Sequence, residues 1–209
     1  KTKHQLVLIK EYANGQTIEE WLAAAQQPIL ERAILYLRNI RPDRCANMGK
    51  RGPWQYLFLL PFHYLKAVRK YPKEWKSLTR LAMTCLRYAP ALLIGSVVVA
   101  VTHFDLFPHN ILVDGETITL LDTDMMLLAP REAEIALISR NYLKYFGNDG
   151  IRMFLERWLE TPEEKRTFLF LAAYFCLQIL SINPVGDPYA RQSLAYMRFF
   201  IPYRKRLLS

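Results

Sequence analysis

Two acids and an amide, Asp105, Asn110 and Asp122, are the side chains best placed to do chemistry in this 209-residue sequence. They lie within residues 103 to 124, His-Phe-Asp-Leu-Phe-Pro-His-Asn-Ile-Leu-Val-Asp-Gly-Glu-Thr-Ile-Thr-Leu-Leu-Asp-Thr-Asp. Phosphoryl transfer from a metal nucleotide needs such a trio. One carboxylate meets the acceptor hydroxyl, while an amide and a second carboxylate hold Mg²⁺ against the triphosphate. Taken singly, each residue has a plainer explanation, because Asp and Asn tolerate turn geometry and cap their own backbone. The string as a whole is poorly covered by it, since Asn110 opens a strand, Asp122 follows the return strand, and Asp105 stands just upstream.

These residues must be positioned by a hairpin. Asn110 to Val113 and Thr117 to Leu121 flank Asp114-Gly115, a pair suited to a tight turn. The hairpin brings Asn110 and Asp122 together at one end. Val97 to Val101 is β-branched and predicts a buried strand. Upstream, Gln5 to Tyr12 favours a strand and stops at Ala13-Asn14-Gly15. Thr17-Ile-Glu-Glu20 is a capping box that predicts a helix to about Ala25, with Pro28 ending it or beginning another. Ile29, Leu30, Ala33, Ile34, Leu37 and Ile40 recur at helical spacing. Trp54 to Tyr71 predicts a helix kinked or broken at Pro61, and Lys73 to Tyr88 one that ends before Pro90. After Pro130 the pattern is helical to the end, with a second capping box at Thr161-Pro-Glu-Glu164. The sum is an α+β fold, mostly helical, with a short β-hairpin carrying the site.

With 52% apolar residues the chain buries a substantial core, which argues against disorder. Its longest apolar runs are too short or too interrupted for a membrane span. The opening residues do not read as a signal peptide, and the first is Lys1 rather than Met. Cys45, Cys85 and Cys176 lack metal-ligand spacing and read as reduced thiols of a cytoplasmic protein. The four histidines are equally scattered, which argues against zinc.

The stretch from Thr102 to Val113 resembles the catalytic loop of the aminoglycoside phosphotransferase and choline kinase family, small-molecule kinases that share the protein-kinase fold. Leu120-Leu-Asp-Thr-Asp124 is similar to that family's metal-binding strand end, and Leu6 to Gly15 is similar to its inter-lobe linker. The resemblance implies the last strand of the first lobe and the linker over 1–16, and a helical second lobe over 17–209. Within that lobe, 31–90 would form the acceptor side and 97–124 the catalytic and metal-binding loops. It further implies ATP and Mg²⁺ as cofactors, Asp105 as catalytic base, Asn110 and Asp122 as metal ligands, and backbone near Glu11, Tyr12 and Ala13 facing the adenine. His103 would brace the loop. Asp124 is divided between a second metal contact and a solvated turn acid, and His109 between a phosphate contact and water. Glu134 stands one position away from an acid of the family. The family usually has a histidine at the position of Phe107 and a small residue at that of His109. Nothing before Leu6 supplies a Gly-rich loop, a phosphate-pairing lysine or its glutamate partner. On this reading the first lobe is largely absent from the sequence, and either the natural protein continues upstream or it is not a competent kinase.

The net charge of +9 is concentrated, because residues 31 to 90 hold thirteen Lys or Arg against three acids. Seven aromatics, Trp54, Tyr56, Phe58, Phe62, Tyr64, Tyr71 and Trp75, stand among them. A helical core with a solvated basic face accounts for this pattern. So does a surface that settles on an anionic membrane or holds an anionic or lipid-like acceptor. Nucleic acid is disfavoured, since no recognisable binding module accompanies the charge. A polycationic aminoglycoside would need an acidic pocket and is disfavoured too. The leading expectation is a phosphotransferase acting on a hydroxyl of a small molecule, sugar or lipid-linked headgroup, in the cytoplasm or at the inner face of the membrane. The alternative is a non-catalytic pseudokinase, or a membrane-associated interaction module.

Overall fold

The computed structural model describes residues 16–17, 23–45, 48–95, 97–114 and 117–208. Its elements run β1 (Gln16–Thr17), α1 (Ala23–Asn39), α2 (Pro53–Lys70), α3 (Trp75–Leu93), β2 (Val99–Thr102), β3 (Ile111–Asp114), β4 (Thr117–Leu120), β5 (Leu127–Pro130), α4 (Glu132–Asn141), α5 (Leu143–Trp158), α6 (Pro162–Ile182) and α7 (Pro188–Tyr203). The core gathers on α6, whose residues from Thr167 to Leu177 are all buried. Helices α2, α3, α4 and α7 pack around it. Helix α6 is long and apolar enough by composition to cross a membrane, but most of that apolar stretch is buried inside the protein. Its start is the predicted capping box: Glu164 N–H donates to Thr161 Oγ1 at 3.2 Å and Thr161 N–H to Glu164 Oε2 at 2.8 Å. At its far end Lys70 Nζ donates to the carbonyls of Ser181 and Asn183, both at 2.7 Å, so this cation neutralises a helix C-terminus.

Two small antiparallel sheets lie against the helices. In one, β3 is flanked by β1 and β4, with Ile111 opposite Leu120 and Asp114 opposite Thr117, so Asp114 closes the strand rather than opening the turn. In the other, β2 pairs with β5 from Val99–Pro130 to Thr102–Leu127. Residues 49 to 51 add backbone pairing to this second sheet, because Leu128 N–H donates to the Gly49 carbonyl and Arg51 N–H to the Leu128 carbonyl, each at 2.9 Å.

Several local expectations are corrected. Thr17 lies in a strand opposite Leu112 rather than capping a helix, and residues 18–22 of the expected helix lie outside the described residues. Pro28, Pro61 and Pro90 do not end helices, since α1, α2 and α3 each run through theirs. Pro28, Pro61 and Pro90 are all exposed, so the hydrogen bond each forfeits is lost near solvent rather than in the core. Helix α5 does break, at Gly147, whose φ of 65° and ψ of −176° suit only glycine. The three thiols are free, and burial pushes Cys85 and Cys176 well above the ordinary thiol range, Cys176 to about 12.

Candidate functional site

The loop between β2 and β3 places Asp105 and Asn110 in direct contact. Asn110 Nδ2 donates to the Asp105 carbonyl at 2.8 Å and to its carboxylate Oδ2 at 3.0 Å. Both amide protons are thereby used, which leaves the Asn110 carbonyl oxygen as its remaining polar atom. Phe107 N–H also closes on the Asp105 carbonyl at 2.8 Å, and Asn110 N–H on the Phe107 carbonyl at 2.9 Å. Asp105 itself is half-buried.

The hairpin delivers Asp122 to the same end. Leu121 N–H donates to the Asn110 carbonyl at 2.8 Å, so Asp122 follows one residue beyond the strand pair. Its backbone is left-handed (φ 54°, ψ 52°), a conformation that Asp tolerates better than most residues. The side chain is exposed, as are Asp124 and His109. His109 stacks on Phe107 with ring centroids 5.5 Å apart, and Phe107 meets Tyr189 edge-on at 5.4 Å. Glu11, Tyr12 and Ala13 lie outside the described residues.

His103 ties the two halves together. Its ring Nε2 lies 2.8 Å from the Leu121 carbonyl. A carbonyl only accepts, so Nε2 carries the proton, while Nδ1 is buried without a partner. Burial lowers the pKa of this imidazole, against the opposing pull of the Leu121 carbonyl, Asp105 and Asp122, so it sits neutral beside two acids.

Glu134 is the residue whose part was least visible in sequence. It is buried in the first turn of α4, and its Oε2 accepts the His103 backbone N–H at 2.6 Å. Burial pushes its carboxyl up to about 7, with the His103 and Phe104 amides drawing it down and Asp105 adding to the rise. Phe104, between His103 and Asp105, has a φ of 63°, rare and costly for a bulky side chain. It is held by the Glu134 anchor before it, by an edge-on contact with Phe175 at 5.8 Å, and by the Arg51 guanidinium 5.1 Å from its ring centroid. Those contacts turn the next residue, Asp105, toward a cavity.

That cavity encloses about 280 Å³ and is walled by α4, α6, α7 and the loops that hold Arg51, Asp105 and Met125. Asn110 and Asp122 do not line it, so Asp105 stands between a pocket and a pair of oxygen donors. Larger hollows exist among the described residues, such as one of 480 Å³ lined by Arg80, Arg87, Arg204 and Lys205, which lies away from the loop of Asp105. Among the described residues no group of three His, Cys, Asp or Glu could hold a metal by itself. The Asn110 carbonyl and the Asp122 carboxylate are hard oxygen donors of the kind Mg²⁺ prefers when phosphates and water complete its shell. The residues present therefore fit that ion.

No family model matches the sequence, and no curated protein matches it either. Solved structures do. A spectinomycin phosphotransferase determined with ADP and spectinomycin aligns over 95% of this chain and 66% of its own, at a TM-score of 0.57 and 14% identity. A choline kinase from Cryptosporidium parvum aligns over 95% of this chain and 70% of its own (TM-score 0.54, 14% identity). An ethanolamine kinase from Plasmodium vivax aligns over 94% and 65% (TM-score 0.51, 13% identity). The chain thus spans about two thirds of the length of the structures it matches. A likeness of this kind, at such low identity, speaks to architecture, and the architecture is that of the protein-kinase-like fold.

Proposed function

We propose that this protein is an ATP- and Mg²⁺-dependent phosphotransferase that phosphorylates a hydroxyl of a small molecule, sugar or lipid-linked headgroup. The observation that carries the reading is the position of Asp105, which lines a cavity on one side and is held by Asn110 through its carboxylate. A hydroxyl seated in that cavity gives its proton to the Asp105 carboxylate as its oxygen bonds to the γ-phosphorus and the bond to ADP breaks. Asn110 and Asp122 would hold Mg²⁺ through their side-chain oxygens, and the ion would supply positive charge to offset that of the phosphates. The site works in the cytoplasm, where ATP is supplied.

Titration of the full chain with ATP, in Mg²⁺ and again in chelator, tests the metal half of this reading. Mg²⁺ should tighten binding, and Asp122→Ala should remove at least about tenfold of that gain, since even the outer partners of a metal are worth ~10–100-fold. Equal affinity with and without Mg²⁺ would count against it.

A second reading, docking on an anionic membrane, is favoured by one specific feature. Trp54, Phe58 and Phe62 recur every fourth residue along α2 and are 64%, 80% and 54% exposed, with Leu65 continuing the stripe. Lys66, Arg69, Lys73 and Lys76 stand close by in sequence. Aromatic side chains suit the headgroup region, and each nearby cation contributes about 1 kcal/mol at an anionic surface. The protein should float with phosphatidylserine-containing vesicles at low salt and be released by salt, and Phe58→Ser should weaken flotation. Equal flotation with neutral vesicles, or none, removes this reading.

A further inference from the structure

The acceptor-side cavity contains a charge that the chemistry proposed above does not use. Arg140, at the last turn of α4, lines it and is only 4% exposed. Its Nε and one terminal nitrogen donate to the neighbouring Asn141 Oδ1 at 3.0 and 2.7 Å. The other terminal nitrogen is buried with no partner. Helix α7 fixes this end of α4, because Gln192 Nε2 donates to the backbone carbonyls of Arg140 and Asn141 at 3.1 and 2.6 Å. Burial lowers its pKa to about 10, so the guanidinium stays charged at neutral pH.

Arg51 reaches the same cavity from the opposite direction in sequence, on the segment that pairs with Leu128. It meets the rings of Phe104 and Tyr56 at 5.1 and 5.8 Å. Among the described residues neither guanidinium lies within ion-pair distance of a carboxylate. Among the described residues Asp105 is the one acid that lines the cavity, so two cations face one acid across a mostly apolar wall that includes Phe107, Leu127, Phe175 and Ile179, with Gln178, Asn183 and Tyr189 its uncharged polar members. A buried cation without a counter-ion destabilises a fold unless something else compensates for it. An anionic ligand supplies that compensation, and guanidinium groups match the planar oxygens of carboxylate and phosphate.

We infer that the acceptor carries an anionic group, a carboxylate or a phosphate, which Arg140 and Arg51 hold in this cavity while Asp105 faces the hydroxyl to be phosphorylated. The inference rests on the phosphotransferase reading for the identity of the acceptor, but the anion site itself is independent of nucleotide. The apolar wall adds that the acceptor has an uncharged hydrocarbon portion, and a volume of about 280 Å³ keeps the enclosed part small.

The test is equilibrium binding to the full chain without nucleotide, using two matched pairs of probes. Phenyllactate is compared with its neutral counterpart phenylpropanediol, and glycerol phosphate with glycerol. At least one anion should bind more tightly than its neutral twin, and the pair that responds tells carboxylate from phosphate. Arg140→Met and, separately, Arg51→Met should each weaken that anion by about tenfold to a hundredfold, the worth of a charged hydrogen bond. Arg140→Met should also melt no lower than wild type, since an unpaired buried charge is replaced by apolar volume. A guanidinium with a merely structural role would do the reverse, lowering the melting point and leaving anion binding unchanged. Neutral probes binding as well as anionic ones, no anion binding at all, or an anion affinity that neither variant moves overturns the inference. The Mg²⁺ dependence of ATP binding is read in a separate titration, so failure of one does not imply failure of the other.

Discussion

Asp105→Asn should cut phosphate transfer from Mg-ATP to a hydroxyl acceptor by about 10²–10⁴-fold, the range that removal of a positioned general base produces. The substitution is nearly isosteric, and an amide oxygen at position 105 can still accept from Asn110 Nδ2, as Oδ2 does at 3.0 Å. The loop geometry should survive, because much of it rests on the backbone carbonyl of residue 105 rather than its side chain: Phe107 N–H and Asn110 Nδ2 both donate to that carbonyl at 2.8 Å. Nucleotide affinity and melting temperature should therefore stay near wild type while turnover collapses. Three measurements check this together: ADP release driven by acceptor, ATP affinity by titration, and thermal melting. Turnover that persists in the variant would remove Asp105 as the base and with it the proposed mechanism. A parallel loss of nucleotide binding would instead show that the substitution had damaged the metal side of the site.

The second large effect is a pH dependence set by Glu134. The folded protein holds this buried carboxyl protonated to about 7, whereas in the unfolded chain it ionises near 4.5. Between those values the native state binds the extra proton, so stability falls as pH rises through the window and levels off above it. The shift amounts to something on the order of 3 kcal/mol across the window. Glu134→Gln is neutral throughout and can still accept the His103 N–H, so its stability should not carry this slope. His63 and His103, both held neutral by burial, add the opposite trend on the acid side, where stability is lost as pH falls below the ordinary imidazole range. That trend is common to both proteins. Chemical denaturation of wild type and Glu134→Gln from pH 4.5 to 8 should give curves that diverge through the window and run parallel above it. Curves that run parallel from the start would mean Glu134 is ionised in the folded protein at low pH.

The consequences reach the site, because the Glu134 carboxylate anchors the amide that precedes Phe104, the strained residue which aims Asp105. A charge on Glu134 acts on the catalytic-type loop through its backbone, with no contact to any reacting atom.

What could be read from the sequence follows from how local each signal is. The Asp114-Gly115 signal marks where the two strands must meet, and their pairing, Asp114 opposite Thr117, sets Asn110 beside the residue before Asp122. The Thr161 box is similarly self-contained, with both of its bonds made within four residues. The three prolines misled because a proline's cost, a lost hydrogen bond and a clash with the preceding turn, is outweighed by burial of α1, α2 and α3 against their neighbours. Arg140 could not be singled out, and Glu134 only by its place one position from an acid of the family, since a charged residue in a helix ordinarily faces water. Their positions are set by α6 and α7 closing over α4, a long-range event with no local signature. Arg51 was visible only as one cation in a basic loop, and the backbone pairing that carries it into the cavity depends on Leu128, far along the chain. Lys70, counted with the surface cations, is instead occupied by the end of α6.

The pairing of residues 49 to 51 with Leu128 also bears on the order of events. It joins the acceptor wall to the strand pair that leads into the loop of Asp105, so the two are built as one rigid piece rather than brought together by closure. The described residues wall the pocket without a nucleotide in place. An acceptor can then enter first, and the kinetic sequence need not begin with ATP. On the phosphotransferase reading proposed above, a compound that fills this pocket would compete with the acceptor rather than with ATP, and it can be sought against the empty protein.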